Sequence, residues 1–342
     1  MSKSFITGAA GFVASHLARR LIKEGHEVFA VDSLVCGFME NITDLMDNPK
    51  FHFKVADIRD ENVCDFISEE VDYVWHLAAR GETYWVRDNV NESIDVNIKG
   101  TLNILSQAKR LRAKHIFFSD TSAEYDSFSD EQYYPTAEWM APNTITPMGY
   151  YAITKMAASQ FVRSFGLSND IGTTLFRYTN IYGPSMNLDR DIPPVVGAFT
   201  NALLNGDTPI FYGTGHKRRD FLHIDDLTNF HISALTARGN SKDSQTYNAG
   251  FGENYSILEV YHHVHSACKN IKNDIASVVK YKSDQPNEAQ VTLANIEKAK
   301  EELGWSPIIS FEEGVEKTVK SLANMMGVKN DSESNTKNEK KN

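Results

Sequence analysis

Short apolar runs alternate with amphipathic stretches through the first half of the chain. Ser4-Phe5-Ile6-Thr7 reads as a buried strand and Gly8-Ala9-Ala10-Gly11 as a tight turn. Phe12 onward reads as a helix with Val13, Leu17 and Leu21 on one face. Glu27 to Val31 is a second strand that ends in Asp32, and Phe51 to Val55 a third that ends at Asp57. Asp60 to Glu70 is expected to be helical, with Asp60 near its N-cap. Tyr73 to Leu77 is a strand running into Ala78-Ala79. Asn91 to Arg110 predicts a long helix with Ile94, Ile98, Leu102 and Leu105 along one stripe. Lys114 to Ser119 predicts a strand, Tyr151 to Phe165 a helix and Gly172 to Arg177 a strand. This alternation implies an α/β fold, a doubly wound parallel sheet covered on both faces.

Beyond Thr179 the pattern loosens. Pro184, Pro193, Pro194 and Pro209 interrupt it, and helices such as Val195 to Leu204 are separated by loops. Residues 1–178 are therefore expected to form the first domain and 179–328 a smaller α/β lobe that grips a substrate. Asp225 to Ala237 and Gln245 to Gly250, within 225–250, are expected to return to the first domain as a helix and a strand. Residues 329–342 contain no apolar side chain and are expected to be a disordered tail. No internal repeat is visible.

Composition narrows the partners. With 342 residues and 41% hydrophobic content, the chain can bury a large core plus a lobe. A formal net charge of −10 argues against nucleic acid or an acidic membrane as a partner, so an anionic substrate needs locally placed arginines. Cys36, Cys64 and Cys268 are far apart and form no metal or redox motif, which suggests a reducing compartment. The first strand starts at once, and no apolar run approaches the roughly 20 residues of a membrane span. A soluble, cytoplasmic protein without a leader is the expectation.

Two constellations carry chemistry. A strand, a glycine turn and a helix N-terminus make an anion site, because free backbone amides and the helix dipole point at the turn. The spacing is Gly8-x-x-Gly11-x-x-Ala14, and Asp32 follows about twenty residues later, where an acid binds a ribose 2′-hydroxyl. The second is Tyr151-x-x-x-Lys155, which puts both side chains on one helix face. A free phenol has a pKa of about 10, and an ammonium one turn away favours the phenolate. Such a tyrosine takes a hydroxyl proton while hydride leaves the same carbon. Thr121, after the fifth strand, is placed to bond the same hydroxyl. Tyr150 lacks a lysine four residues on. His262, His263 and His265, with Glu259 one turn before His263, resemble a metal cluster, but the three histidines cannot share one helix face, and an exposed face is expected instead. Glu124 reads as a solvated loop residue rather than a catalytic carboxylate.

Together these residues resemble the extended short-chain dehydrogenase/reductase family, the NAD-dependent nucleotide-sugar epimerases and dehydratases with a Rossmann fold. The matching pieces run from Thr7-Gly8-Ala9-Ala10-Gly11-Phe12-Val13-Ala14 through Asp57-Ile58, His76-Leu77-Ala78-Ala79, Asn97-Ile98-Lys99-Gly100-Thr101 and Tyr151-Ala152-Ile153-Thr154-Lys155. They continue with Arg177 to Pro184, Arg219 to Asp226 and Leu303-Gly304-Trp305-Ser306-Pro307. The resemblance implies that NAD is held by Gly8, Gly11, Phe12 and Val13 at the pyrophosphate, Asp32 at the adenosine ribose, and Asp57 and Ile58 at the adenine. It implies that Leu77, Ala78, Ala79 and Asn97 line the cofactor and that Lys155 reaches the nicotinamide ribose beside Tyr151. Asn180 and Arg219 are implied to contact the nucleoside diphosphate of the substrate, and Glu288 lies in the matching C-terminal stretch. The helices Asn91 to Arg110 and Tyr151 to Phe165 are implied to pair in a homodimer.

Departures from the family pattern shape the functional reading. Ala14 replaces a third glycine. Ser122-Ala123 follows Thr121 where dehydratases carry Asp-Glu. Gln285-Pro286-Asn287-Glu288 lacks the arginine that usually binds phosphate, and the loop Arg80-Gly81-Glu82-Thr83-Tyr84-Trp85, which borders the sugar site, is unusual. The reading is a UDP-sugar 4-epimerase that works through a 4-keto intermediate with Thr121, Tyr151 and Lys155 as the catalytic set and no metal. A 4,6-dehydratase and a non-catalytic NAD-binding protein are the alternatives. Asp32 is expected to reject the 2′-phosphate of NADP, since like charges meet there. In a titration of both cofactors NAD binds the more tightly; equal or tighter NADP binding overturns the assignment.

Overall fold

The computed structural model describes residues 1–81, 83–125, 133–140, 149–189, 193–275, 277–284 and 288–328, without the side chains of Thr83 and Tyr84. The expected tail at 329–342 and residues Glu82, Asp126 and Gln285 lie outside the described residues.

Seven parallel strands form the central sheet: β1 (Lys3–Thr7), β2 (Glu27–Asp32), β3 (Phe51–Val55), β4 (Tyr73–His76), β5 (His115–Thr121), β6 (Gly172–Tyr178) and, after three short strands outside the sheet, β10 (Ser244–Ala249). Their order is β10-β6-β5-β4-β1-β2-β3. The direction of winding reverses between β1 and β4, and in open α/β sheets that crevice is where ligands bind. The strands read as near-continuous apolar runs because both faces are covered. Helix α1 (Phe12–Lys23) and helix α7 (Ile224–Arg238) pack one face, burying Leu17, Leu21, Leu227 and Phe230 against Trp75 and Phe117. Helices α4 (Thr101–Arg110) and α5 (Tyr150–Asn169) cover the other, with Ile104, Ala158 and Val162 against Phe118 and Leu175.

The segment expected as one helix from Asn91 is built in three parts. After a short helix α2 (Thr83–Asp88), α3 (Val90–Ile94) runs through a π-helical turn (Asp95–Gly100) into α4. Gly100 permits the close fit, since a Cβ there would lie 2.6 Å from Ile58 Cδ1. The stretch Asp60 to Glu70 is not a helix, contrary to its pattern. It winds as successive turns with bonds such as Val63 N–H to the Asp60 carbonyl and Ile67 N–H to the Cys64 carbonyl. Side chains from α4 take its carbonyls instead: Asn103 donates to Ile58 and Asp60, and Gln107 to Glu61. Val63, Cys64 and Ile67 are still buried, so the apolar spacing served the core without an α-helix.

After β6 the chain forms β7 (Asn180–Tyr182), α6 (Val195–Asn205), β8 (Ile210–Tyr212) and β9 (Arg218–His223). It then returns through α7 and β10, which pairs with β6. The remaining elements are β11 (Asn254–Ser256), α8 (Ile257–Lys269), β12 (Lys280–Lys282), α9 (Glu297–Leu303) and α10 (Phe311–Met325). A three-stranded sheet β11-β9-β7 and a β12-β8 pair cap a separate core of Phe199, Phe211, Tyr261 and Phe311 under α6, α8 and α10. Two buried aspartates tie this half together. Asp220 accepts backbone amides from Phe251, Gly252 and Ala294, and burial pushes its carboxyl up to about 6. Asp226 accepts those of Ile308 and Ile309, while its carbonyl accepts the Trp305 indole. No described helix is long and apolar enough to cross a membrane.

Candidate active site

The glycine turn sits at the reversal between β1 and β4. Gly8 and Ala9 donate to the Val31 carbonyl, and Gly11 to the Gly8 carbonyl, which wraps the turn over the end of β2. Gly8 has φ +74°, and a Cβ on it would lie 2.9 Å from Ala78 Cα. Only glycine fits both constraints. Thr7 and His76 bond across the two strands at 2.8 Å, His76 reaches Thr101 at 2.9 Å, and Thr7 Oγ1 accepts the Ala78 amide. Burial holds His76 neutral, its imidazole pulled down to about 3.

This cradle fits a dinucleotide on its own geometry. Phe12 and Val13 open α1, and Gly11 before them offers no side chain to the first free amides. Leu77, Ala78 and Ala79 form the flat exit from β4. Asp32 ends β2, buried, with its oxygens accepting the Ala10 and Leu34 amides; burial raises its carboxyl. Asp57 and Ile58 follow β3, where Asp57 is forked by Arg59 and lowered by that bond, and Ile58 is buried. Asn97 lies in the π turn, buried. Its carboxamide accepts the Arg80 amide at 2.7 Å and donates to the Arg80 carbonyl and Thr154 Oγ1. It thus holds the loop after β4 in place.

A cleft of about 1400 Å³ lies across the strand ends, lined among others by Thr121, Tyr151, Asn180, Lys217, Arg219 and Glu288. The fold therefore gathers residues from β5, α5, β7, β9 and the C-terminal segment. Tyr151 stands in the first turn of α5, and the β4 loop passes its phenol: a Cβ on Gly81 would be 3.9 Å from its hydroxyl. Lys155 is one turn further and buried, its ammonium 4.1 Å from the Phe118 ring centroid. Burial pulls it down to about 8, while Asp120 and Glu124 pull it back up. Thr121 Oγ1 accepts the Ala123 amide and remains at the cleft wall. Arg80 is folded back, its guanidinium 3.7 Å from the Trp85 ring centroid.

At the far end, Asn180 donates to the Asp220 carbonyl, and Arg219 donates to the Arg218 carbonyl with Glu288 at 3.8 Å. Lys217 is the residue that the sequence reading missed. Its buried ammonium meets Asp284 and, at 2.7 Å, Glu288, and it lines the cleft beside Arg219. The signal was available: positions two apart in an extended segment face the same side. Glu124 is a correction. It is not solvated but buried, its carboxylate 2.8 Å from the Arg177 guanidinium. Glu259, the conceivable partner of His263, is spent on the Ser256 amide and on Arg218, and the described residues contain no group of three metal-ligating side chains.

Known proteins resemble the chain over most of its length. The profile of the NAD dependent epimerase/dehydratase family matches residues 4–250. A putative UDP-glucose 4-epimerase of Methanocaldococcus jannaschii is 29% identical over 93% of this chain and 98% of that protein. UDP-glucuronic acid decarboxylase 1 of Xenopus tropicalis is 30% identical over 92% of this chain and 70% of that protein. A UDP-glucose 4-epimerase from Thermotoga maritima, solved with UDP-glucose, superposes with a TM-score of 0.84 at 28% identity, covering 95% of this chain and 99% of that one. Apart from Lys3 at the head of β1, the central sheet and the two loops that meet at its reversal point fall within the matched stretch, and the chain belongs to the NAD dependent epimerase/dehydratase family.

Proposed function

We propose that this enzyme is a UDP-sugar 4-epimerase with Tyr151 as the base, Lys155 as its cationic support and Thr121 as a second partner of the substrate hydroxyl. The observation that carries the reading is that Thr121 and Tyr151 line one cleft with Arg219 and Lys217, while Lys155 lies buried one helical turn behind the phenol. Gly8, Gly11, Phe12, Val13, Asp32, Asp57, Ile58 and the Leu77 to Ala79 exit are assigned to NAD, with Asn97 holding the exit in place. When bound, NAD supplies the oxidising equivalent at the sugar carbon and returns it. Tyr151 takes the hydroxyl proton and gives it back, Thr121 fixes the oxygen, and Lys155 favours the phenolate.

The same geometry favours epimerisation over 4,6-dehydration. Dehydration also has to move a proton from C5 and protonate a departing hydroxyl, which takes a further acid and base near the sugar. Ser122 and Ala123 occupy the cleft wall after Thr121, and Glu124 turns inward to Arg177. The diphosphate is assigned to Arg219 and Lys217 together, with Asn180 and Glu288 at the nucleoside. Two copies are proposed to pair through α4 and α5, whose Leu102, Ile153 and Phe161 are exposed apolar side chains.

Three measurements test these assignments. With a panel of UDP-hexoses in heavy water, the product keeps its mass and carries no solvent deuterium on carbon, and Tyr151→Phe lowers turnover about 10²-fold or more. A product lighter by one water and deuterated on carbon sinks the epimerase reading. Arg219→Ala weakens UDP-sugar binding about tenfold or more by calorimetry, since a charge-assisted contact contributes about 1.5–3 kcal/mol. Unchanged binding removes Arg219 from the clamp. Sedimentation shows a dimer that Phe161→Glu converts to monomer; a monomeric parent protein rejects the pairing.

A further inference from the structure

Behind Lys155 lies a charged cluster that the reaction scheme has not used. Asp120 on β5 stands in register with Arg177 on β6, its carboxylate 3.5 Å from the guanidinium. Glu124, in the turn that follows β5, is 2.8 Å from the same guanidinium. These three side chains are at most 1% exposed. Arg177 also donates to the Tyr125 hydroxyl and to the Glu138 carbonyl. From α5 come Lys155 and Arg163, the latter bonded to Thr246; from β4 comes neutral His76. Glu138 spends its carboxylate on the Asn248 amide.

Asp120 shares a sheet face with Phe118, two residues earlier on β5, and Lys155 sits over that ring. The two carboxyls are therefore the acidic groups packed toward the catalytic lysine. All four of their oxygens are buried, and the two carboxyls lie within hydrogen-bonding reach of each other beside the guanidinium they share. Two unscreened carboxylates sharing one arginine repel each other, and a proton relieves that repulsion. Consistent with this, burial and then the charge of Asp120 push Glu124 up to about 9.

We propose that Asp120 and Glu124 form a proton-sharing carboxyl pair that acts as a charge-setting, positioning device for Lys155 and, through it, for proton transfer at Tyr151. The inference rests on the reading of Tyr151 as the base. The pair leaves one negative charge to face Lys155 at neutral pH, so the buried ammonium keeps its proton. Two full charges would instead draw the ammonium into a tight ion pair and cancel its effect on the phenol. A proton held between the acids sets the balance.

Infrared difference spectroscopy of the wild-type protein tests the pair without any substrate. A protonated carboxyl band is expected at pH 7, absent in Glu124→Gln, and in Asp120→Asn it titrates about 1 pH unit or more lower. No such band in the wild type, or a band that titrates unchanged in Asp120→Asn, overturns the pair. The link to Lys155 is read from kcat against pH on the UDP-hexose that turns over. In Asp120→Asn the alkaline limb moves about 1 unit toward acid, with KM held, because Lys155 loses its counter-charge. A merely structural role lowers kcat at every pH without moving the limb, and that result overturns the link. If Asp120→Asn does not fold, Glu124→Gln carries the same test, with an acid shift expected because it never gains the second charge at high pH. Loss of turnover in Tyr151→Phe together with an unmoved limb defeats this inference alone. Retained turnover in Tyr151→Phe defeats the functional reading itself.

Discussion

The close approach of two backbones at the sheet's reversal point governs the rest of the molecule. Gly8 after β1 and Ala78 after β4 come so near that no Cβ fits between them, and the hydrogen bonds Thr7–His76–Thr101 lock that spacing from within. With the strands clamped there, the glycine turn presents the N-terminus of α1 to the crevice, and the β4 exit runs flat toward Tyr151. A side chain at Gly8 would lift the turn from β4 and separate the anion site from the phenol. His76 serves this clamp as a neutral imidazole, because a cation in that fully buried position loses its water and is repelled by the Lys155 ammonium.

The second half depends on buried aspartates rather than on sheet continuity. Asp220 gathers amides from segments that are far apart in sequence, and Asp226 does the same for the chain around Trp305. Each carboxylate replaces water with two or three backbone donors, which makes a charge tolerable in the interior. Consequently Arg219, next to Asp220 on β9, is held at a fixed place on the cleft wall. The cations there are not left bare: Lys217 and Arg219 lie against Asp284 and Glu288, so a bound diphosphate has to compete with carboxylates of the protein itself. A chain with net charge −10 thus keeps two cations at the cleft by balancing them with carboxylates of its own.

The chemistry is arranged in depth. Thr121 and Tyr151 stand at the cleft wall, Lys155 lies beneath, and Asp120, Glu124 and Arg177 lie beneath that. Water is excluded progressively along this series, so each charge acts more strongly on the next than it would at a surface. Ordering of this kind is what the proposed proton transfer at Tyr151 would draw on.

Local chemistry was legible in the residues themselves. The strand–glycine–helix start, Asp32 at the end of β2 and the tyrosine–lysine pair one turn apart follow from periodicity and spacing, because each depends on neighbours within a few residues. The alternation of apolar runs also implied the parallel sheet and the return of the strand near Gln245. What the local pattern could not decide was anything set by a distant partner. Asp60 to Glu70 has helical spacing, yet Asn103 and Gln107 take its carbonyls and turns prevail. Glu124 looks like a loop acid until β6 brings Arg177 against it. Lys217 looks like one more surface lysine until the C-terminal segment sets Glu288 beside it. Sequence by itself determined the backbone plan and supplied the candidate residues of the site. Only the tertiary structure decided which charges meet, because burial and pairing between residues far apart in the chain exist only once the sheet has closed over them.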